Sequence, residues 1–401
     1  MADLSSTAPR STLPVSTLTA GFVTVLVGFT SSVAIVFQAA LALGASTAQM
    51  SSWIAALGLG MGLSCIGLSL YYRKPVVTAW STPGAALLVT SLPGVPVSAA
   101  LGAFVFCGLL ILLCGVTGWF EKAIDHIPLP VASAMLAGVL VHFGMNVFVA
   151  MQSSPIMVLA MFIAWLLLKR ISPRYCVPGV LVSGVAIAAI QGRLQWAGVH
   201  LDIARPIWTT PAFNVATLIS VGLPLFVVTM ASQNIPGVAV MRGAGYDTPI
   251  SPLISWTGVL TAVLAPFGCF SINLAAISAA ICMGKEAHED PGQRYQAAVF
   301  AGVFYLMAGL FGATIAALFA AFPHELVLAI AGIALFGTIG NSLTSAMRDE
   351  SMREPALITF LVTASGITLC GIGAAFWGLV AGAITLLLPR LRQAGKSHPD
   401  K

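Results

Sequence analysis

Two short stretches of the chain combine helix-breaking residues with polar and aromatic side chains in a way that suits binding of a small anion. Residues 80–86 read Trp-Ser-Thr-Pro-Gly-Ala-Ala, and residues 270–276 read Phe-Ser-Ile-Asn-Leu-Ala-Ala. Ser or Thr just before Pro is typical of a helix start, because the hydroxyl caps an unpaired N–H group and Pro lacks one. We therefore predict extended chain over residues 76–80, followed by a short helix from Pro83 to about Ser91.

The second stretch follows the same plan. Residues 266–271 are predicted to be non-helical, and Ser271 or Asn273 is predicted to cap a helix that ends near Met283. A helix start presents unpaired N–H groups and about half a positive charge. Two such starts that face each other would bind an anion without a basic side chain. Ordinary proline kinks are the alternative, and the matched placement of the two breaks favours the site.

The predicted binding residues are hydrogen-bond donors for the anion and aromatic side chains for an apolar part of the ligand. The donors are the N–H groups of Gly84, Ala85, Leu274 and Ala275 with the side chains of Ser81, Thr82, Ser271 and Asn273, and the aromatic residues are Trp80, Phe270, Phe267 and Phe37. Gln38, Gln233 and Asn234 are amides inside apolar segments, where an unpaired polar group is costly. Ligand contacts and hydrogen bonds between helices would satisfy them equally well.

One ionisable side chain lies well inside an apolar segment, and it is His142. Histidine titrates near neutral pH and relays protons, so His142 is the candidate for proton coupling. A structural histidine is an equally good interpretation. Glu325, at the start of another segment, and passage of the ligand as its neutral acid are the remaining alternatives.

Composition shows which solvent these elements face. Of the 401 residues, 58% are hydrophobic and only 8% are charged, and the mean hydropathy is +0.97. Soluble domains contain about 25% charged residues, so this composition excludes a large soluble domain and predicts a polytopic membrane protein. The net charge of +5 does not indicate a nucleic-acid partner, because the basic residues lie in short clusters between apolar runs.

Fourteen apolar segments position the two breaks, which fall in the third and tenth segments. The segments cover residues 16–43, 47–71, 76–92, 97–119, 129–149, 155–168 and 177–191, then 213–240, 250–267, 268–283, 295–320, 325–344, 356–370 and 373–389. The chain therefore divides into an N-terminal tail (1–15), a first repeat (16–191), a connection (192–212), a second repeat (213–389) and a C-terminal tail (390–401). The predicted fold class is all-α, with the third and tenth segments part extended and part helical.

The distribution of charge orients these segments. If all fourteen cross the membrane from a cytoplasmic N-terminus, every Lys and Arg except Arg193 and Arg205 faces the cytoplasm, which is 16 of 18. Both termini are then cytoplasmic and the connection is extracytoplasmic. Seven segments in each half invert the second half relative to the first, and similar short motifs recur at offsets of 190 to 194 residues. This pattern is typical of transporters built from inverted repeats.

The chain resembles the benzoate:proton symporter (BenE-type) family along nearly its whole length. The resemblance is carried by the motif at residues 80–86, by Ser-Gln-Asn-Ile-Pro-Gly at residues 232–237 and by the seven-plus-seven plan. That family is similar to the uracil/xanthine and sulfate/bicarbonate transporters, which implies core and gate domains with a substrate pocket between the third and tenth segments, flanked by the first and eighth. It also implies import of benzoate or a similar aromatic carboxylate with a proton across the bacterial inner membrane. No Asp or Glu lies inside the segments, and in this respect the chain differs from the uracil-type relatives, which use carboxylates in the membrane.

The competing functions differ in class. An anion channel or exchanger, or a nucleobase:proton symporter, on the same scaffold are the alternatives to carboxylate symport. An enzyme is not expected, because the sequence has no nucleophile–base set and no metal-binding helix motif, and we expect no cofactor and no metal. The expected partners are a small aromatic carboxylate, a proton and the lipid bilayer, with a homodimer left open.

Overall fold

The chain folds into α-helices joined by short turns, with one pair of very short strands. The computed structural model describes residues 15–119, 129–171, 176–285, 287–369 and 374–394. Within these ranges the elements are α1 Val15–Ala42, α2 Thr47–Tyr72, β1 Thr78–Trp80, α3 Thr82–Ser91, α4 Val97–Val116, α5 Leu129–Ser153, α6 Pro155–Ile171, α7 Cys176–Ile190, α8 Val215–Gly243, α9 Ile250–Leu264, β2 Ile272–Leu274, α10 Ile277–Met283, α11 Tyr295–Leu310, α12 Gly312–Ala320, α13 His324–Met347, α14 Arg353–Ala364 and α15 Ala374–Ala394.

The helices agree with the predicted apolar segments to within a few residues. Among the described residues, six helices are long and apolar enough to cross a membrane, or eight if each of two bent pairs is one span. One such pair is α11 and α12, which meet at 63°. These helices make the chain a multi-pass membrane protein, whereas fourteen crossings stay a prediction. The predicted N-terminal tail, except Val15, and residues 395–401 of the C-terminal tail lie outside the described residues.

Helix pairs taken from the two halves of the sequence pack through small residues. A Cβ added at Gly58 of α2 would lie 2.6 Å from the Cα of Gly309 on α11, and one added at Gly108 of α4 would lie 2.6 Å from the backbone nitrogen of Ala262 on α9. Such close approach is how helices associate in lipid, where no hydrophobic effect drives them together. The contacts form two groups, α1–α4 with α8–α12 and α5–α7 with α13–α15.

The two helix breaks meet as an antiparallel strand pair inside the first group. Thr78 pairs with Leu274, Ala79 with Asn273 and Trp80 with Ile272. Extended chain at membrane depth is tolerated here because the strands are buried in protein and hydrogen-bond to each other. The prediction of extended chain before the first half-helix is confirmed. So is the helix start, since the Ser81 hydroxyl accepts from Gly84 N at 3.0 Å.

The second break differs from its prediction in two respects. Residues 265–267 form a 3-10 turn that ends at Gly268, so the non-helical segment begins later than Pro266. The half-helix α10 begins at Ile277 without a side-chain cap, so neither Ser271 nor Asn273 caps it. The physical reason is the pairing with β1, which keeps the chain extended through residue 274 and delays the helix start.

The eighth segment stays helical through its proline. In α8, residues 230–234 form a π turn immediately before Pro236, and residues 218–222 form another. Pro236 has no N–H to give to the preceding turn, and the wider π turn accommodates the carbonyl that is left over. The π turn is therefore the local irregularity that accompanies Pro236 in α8.

Candidate functional site

A cavity of about 520 Å³ lies between the two helix groups and reaches the strand pair. Its wall on the first group includes Trp80, Thr82, Pro83, Gln233 and Ala275, all of which the sequence predicted. Its wall on the second group comes from α5, α7 and α13. At one end the lining includes Leu129, Val177 and Ser345, which lie near the ends of those three helices.

Trp80 is held as a rigid aromatic surface in this wall. Its indole Nε1 donates to the Ser32 hydroxyl at 2.7 Å, and Ser32 in turn donates to the carbonyl of Gly28 at 2.8 Å. Phe29 packs against the indole at a centroid distance of 4.9 Å and an angle of 60°. Because both the N–H group and one side of the ring are engaged, the indole is preorganised for a second aromatic ring.

The four backbone donors that the sequence predicted are already used. Gly84 N donates to the Ser81 hydroxyl and Ala85 N donates to the Ser81 carbonyl at 2.8 Å. Leu274 N donates to Oδ1 of Asn234 at 2.9 Å, and Ala275 N donates to the carbonyl of Val77 at 2.9 Å. In this conformation they stabilise the break itself, so donors for a ligand must come from other groups.

Several predicted polar residues hold the frame behind the cavity wall. Ser271 exchanges a hydrogen bond with Thr229 at 3.0 Å, and both side chains are buried. The Asn273 amide joins the two breaks, since with its oxygen facing Ser81 N it accepts at 2.9 Å. Asn234 is fully buried and fixes β2 to α8. These residues position the site without lining the cavity.

Four predicted residues lie away from the cavity lining. Phe270 is fully buried and its ring lies 6.3 Å from Trp53, behind the strands. Phe37 stacks on Phe319 at 4.9 Å, and Phe267 packs against Trp208 at 5.4 Å. Gln38 Nε2 donates to the carbonyl of Val327 at 3.4 Å, so it links α1 to α13. Their apolar neighbours and helix contacts account for them as packing residues.

The candidate proton carriers also lie outside the lining. Nε2 of His142 is 2.7 Å from the carbonyl oxygen of Ala364, which ties α5 to the end of α14. Glu325 forms an ion pair with Arg193 at 2.8 Å, and Arg193 also donates to the hydroxyl of Ser154. Both groups therefore have protein partners, and neither faces the cavity.

The sequence interpretation missed most of the polar side chains that line the cavity. These are Ser32, Ser133, Ser232, Ser278, Tyr305, Thr338, Asn341, Ser342 and Ser345. Positions 338, 341, 342 and 345 recur every three or four residues along α13, which places them on one face of a helix. That periodicity was visible in the sequence and would have indicated a polar stripe in the twelfth segment.

The cavity is neutral. In the part of the chain that the structure describes, its lining contains no Asp, Glu, Lys, Arg or His, and Tyr305 is the one ionisable side chain. Hydroxyl and amide groups stand beside Trp80, Met61 and Leu335. This arrangement can hold a small amphipathic molecule by stacking and neutral hydrogen bonds.

Comparisons with known proteins agree with this description. The family profile described as BenE, benzoate membrane transport protein, matches residues 11–388. Inner membrane protein YdcO of Escherichia coli (strain K12) is 49% identical over 379 residues, which is 94% of this chain and 97% of that protein. The benzoate membrane transport protein of Acinetobacter baylyi is 40% identical over 369 residues, covering 92% of this chain and 94% of the relative.

Solved structures show the same fold at low sequence identity. The transmembrane domain of the cyanobacterial bicarbonate transporter BicA aligns with a TM-score of 0.56 at 15% identity, covering 92% of this chain and 97% of that one. The structure of SLC26A9 aligns with a TM-score of 0.61 at 13% identity, covering 94% and 65%. At such identities the likeness supports the architecture and says nothing about substrate.

Proposed function

The chain belongs to the benzoate membrane transport protein (BenE) family, and on this premise we propose that it imports benzoate or a similar small aromatic carboxylate with a proton by alternating access. Membership makes it a membrane transport protein and not an enzyme. The bacterial inner membrane, as in the name of one relative, is the proposed location.

The observation that carries the proposal is a rigid indole beside neutral polar groups in a cavity without fixed charge. A benzoate ring would stack on Trp80, and its carboxylate would accept from side chains such as Thr82, Gln233 and Ser278. The buried polar frame around Ser81 and Asn234 would keep these groups in register. Neutral hydrogen bonds are weaker than those to a fixed cation, so a neutral site is compatible with release of the anion as well as with its binding.

The cavity also supports a conformational assignment. Its lining extends to the helix ends that the charge distribution predicts to be cytoplasmic, and Ser345 of the lining is three residues from Arg348. Near the opposite ends of the helices, Gln38 of α1 donates to the carbonyl of Val327 of α13 at 3.4 Å, which joins the two helix groups. We call α1–α4 with α8–α12 the core and α5–α7 with α13–α15 the gate. We infer an inward-facing conformation in which the gate has closed against the core on the extracytoplasmic side.

The topology belongs to the same proposal. Fourteen crossings in two inverted repeats place both termini in the cytoplasm and the connection at residues 192–212 outside. Alkaline phosphatase, which is active outside the cytoplasm, should be active when fused within that connection and inactive when fused at residue 349. The reverse activities, or equal ones, would reject this orientation.

Proton coupling is proposed to depend on His142. Its ring joins α5 to α14 within the gate, so a proton bound to His142 would act by changing how the gate helices pack and not by touching the substrate. His142→Ala should bind substrate normally but lose at least about fivefold in uptake driven by a pH gradient, the scale of one polar interaction. His142→Gln keeps a donor for Ala364 without titrating. Normal pH-driven uptake by the Gln variant would mean that the proton enters with the substrate as a neutral acid.

Ligand-induced thermal stabilisation of the purified protein tests the substrate class. Benzoate should raise the midpoint of unfolding, because a ligand that binds only the folded state stabilises it. Uracil and sulfate serve as the controls for the nucleobase symporter and for the anion channel or exchanger. If uracil or sulfate stabilises the protein and benzoate does not, the carboxylate assignment is wrong. Counterflow of labelled benzoate in proteoliposomes then separates carrier from channel.

A further inference from the structure

The polar groups of the cavity are divided unevenly between its two walls. On the core wall, Ser32 and the indole N–H of Trp80 satisfy each other. On the gate wall, no hydrogen bond from the side chains of Thr338, Asn341 or Ser342 is found within the described part of the chain. Ser342 is only 7% exposed and still lines the cavity.

These gate residues form one patch. Thr338, Asn341, Ser342 and Ser345 share a face of α13, and Ser133 of α5 donates to Ser345 at 3.1 Å across the helix contact. We call these five residues the gate patch. In the open cavity water can hydrate these groups, so a ligand that displaces this water must offer them polar partners or leave them unsatisfied at a cost in affinity.

The size of the cavity leaves room for a ligand that reaches the gate patch. Cavities of about 300–1,000 Å³ hold drug-sized ligands, and the 520 Å³ observed here exceeds the needs of one six-membered ring with a carboxylate. The patch offers neutral donors and acceptors and no cation. It therefore suits a hydroxyl or amino substituent, whereas a second carboxylate would add a second negative charge to a cavity whose lining, among the described residues, holds no cation.

Resting on the proposed function, we propose that the gate patch is a substituent subsite, and that aromatic carboxylates carrying a ring hydroxyl or amino group are better substrates than benzoate itself. The carboxyl end of the ligand binds by the strand pair and Trp80. The substituent at the far side of the ring hydrogen-bonds to Asn341 and Ser342.

Pairs of inhibitors that match in size test this inference. The measurement is inhibition of labelled benzoate uptake in proteoliposomes by 3- and 4-hydroxybenzoate, each compared with the corresponding methylbenzoate. Each hydroxy acid should inhibit at a concentration about two- to tenfold lower than its methyl partner, the effect of one neutral hydrogen bond. In a cavity without a partner for the hydroxyl, the methyl acid would inhibit at the lower concentration, because burying an unpaired hydroxyl is unfavourable. Benzene-1,4-dicarboxylate should inhibit least.

Variants of α13 assign the preference to the gate patch. The double variant Asn341→Leu/Ser342→Ala should bring the hydroxy-to-methyl ratio to one or reverse it. Thr344→Val is the matched control, since Thr344 lies on the same helix outside the lining and its hydroxyl donates to Gly340. If the double variant does not fold, Ser342→Ala alone, which removes a single oxygen, gives the same reading with a smaller change.

The outcomes separate this inference from the function on which it rests. A methyl acid that inhibits as well as its hydroxy partner, or a hydroxy preference that survives in the variants, overturns the subsite while benzoate uptake continues. If benzoate is neither transported nor bound, the proposed function fails. The hydroxy and methyl acids are then compared by thermal stabilisation, and equal or absent shifts reject the subsite too.

Discussion

Replacing Trp80 by alanine is expected to weaken the uptake of aromatic carboxylates severely while the protein remains folded. The indole presents a fixed aromatic surface to the cavity, because its N–H group donates to Ser32 and one side of its ring packs against Phe29. Losing its stacking and apolar contact should cost roughly 2–4 kcal/mol of binding free energy, which raises KM about 30-fold or more. The measurement is the concentration dependence of benzoate uptake in proteoliposomes, with thermal stability as the check on folding.

Two milder variants separate the ring from its anchor. Trp80→Phe keeps an aromatic ring without the N–H group, and Ser32→Ala removes the acceptor, so each should raise KM about two- to tenfold. The double variant should raise KM no further than the more impaired of the two single variants, because both substitutions remove the same hydrogen bond. Trp256→Ala is the matched control, because Trp256 on α9 is exposed on the outer surface. Wild-type uptake by Trp80→Ala would show that the ring does not bind substrate.

The first helix break could be predicted because all of its determinants are local. Ser81 caps α3 by accepting from the backbone N–H of Gly84, three residues later, and Pro83 has no N–H that needs a partner, so a few adjacent residues specify the turn. The second break depends on pairing with a strand nearly two hundred positions earlier. The residues near Asn273 do not indicate that this segment is extended, and for that reason the prediction that Ser271 or Asn273 caps α10 was wrong.

The sequence was sufficient to predict residues of the core wall of the candidate site, but it did not reveal the residues of the gate wall. Trp80 adjoins a break, and breaks are visible in a sequence. The α13 residues have ordinary helical surroundings, and their role depends on how that helix is rotated towards the cavity. The prediction that backbone N–H groups bind the ligand failed for a related reason, because the Asn234 side chain on α8 accepts from the N–H of Leu274. Which donors a fold uses for itself is decided by tertiary contacts.

Gly268 is the position where a single methyl group should do the most damage to the fold. It ends the 3-10 turn before β2 with φ +102°, a conformation that residues with a Cβ rarely adopt. A Cβ added there would overlap the indole ring of Trp53. That ring is 2% exposed and packs against Phe104 at 5.5 Å, so it has no space into which to move.

Gly268→Ala is therefore expected to destabilise the protein by about 2–5 kcal/mol, from roughly 1–2 kcal/mol of backbone strain and 1–3 kcal/mol of overpacking. The readouts are the unfolding midpoint of the purified protein and benzoate uptake, which should fall because a shifted residue 268 displaces β2 and with it the partner of Trp80. Gly67→Ala, within α2 and with open space around its Cβ, is the control and should be neutral or stabilising by up to about 1 kcal/mol. An unchanged midpoint for Gly268→Ala would mean that the turn and the Trp53 ring move freely, and the strand pair could then not be the rigid frame on which the neutral site depends.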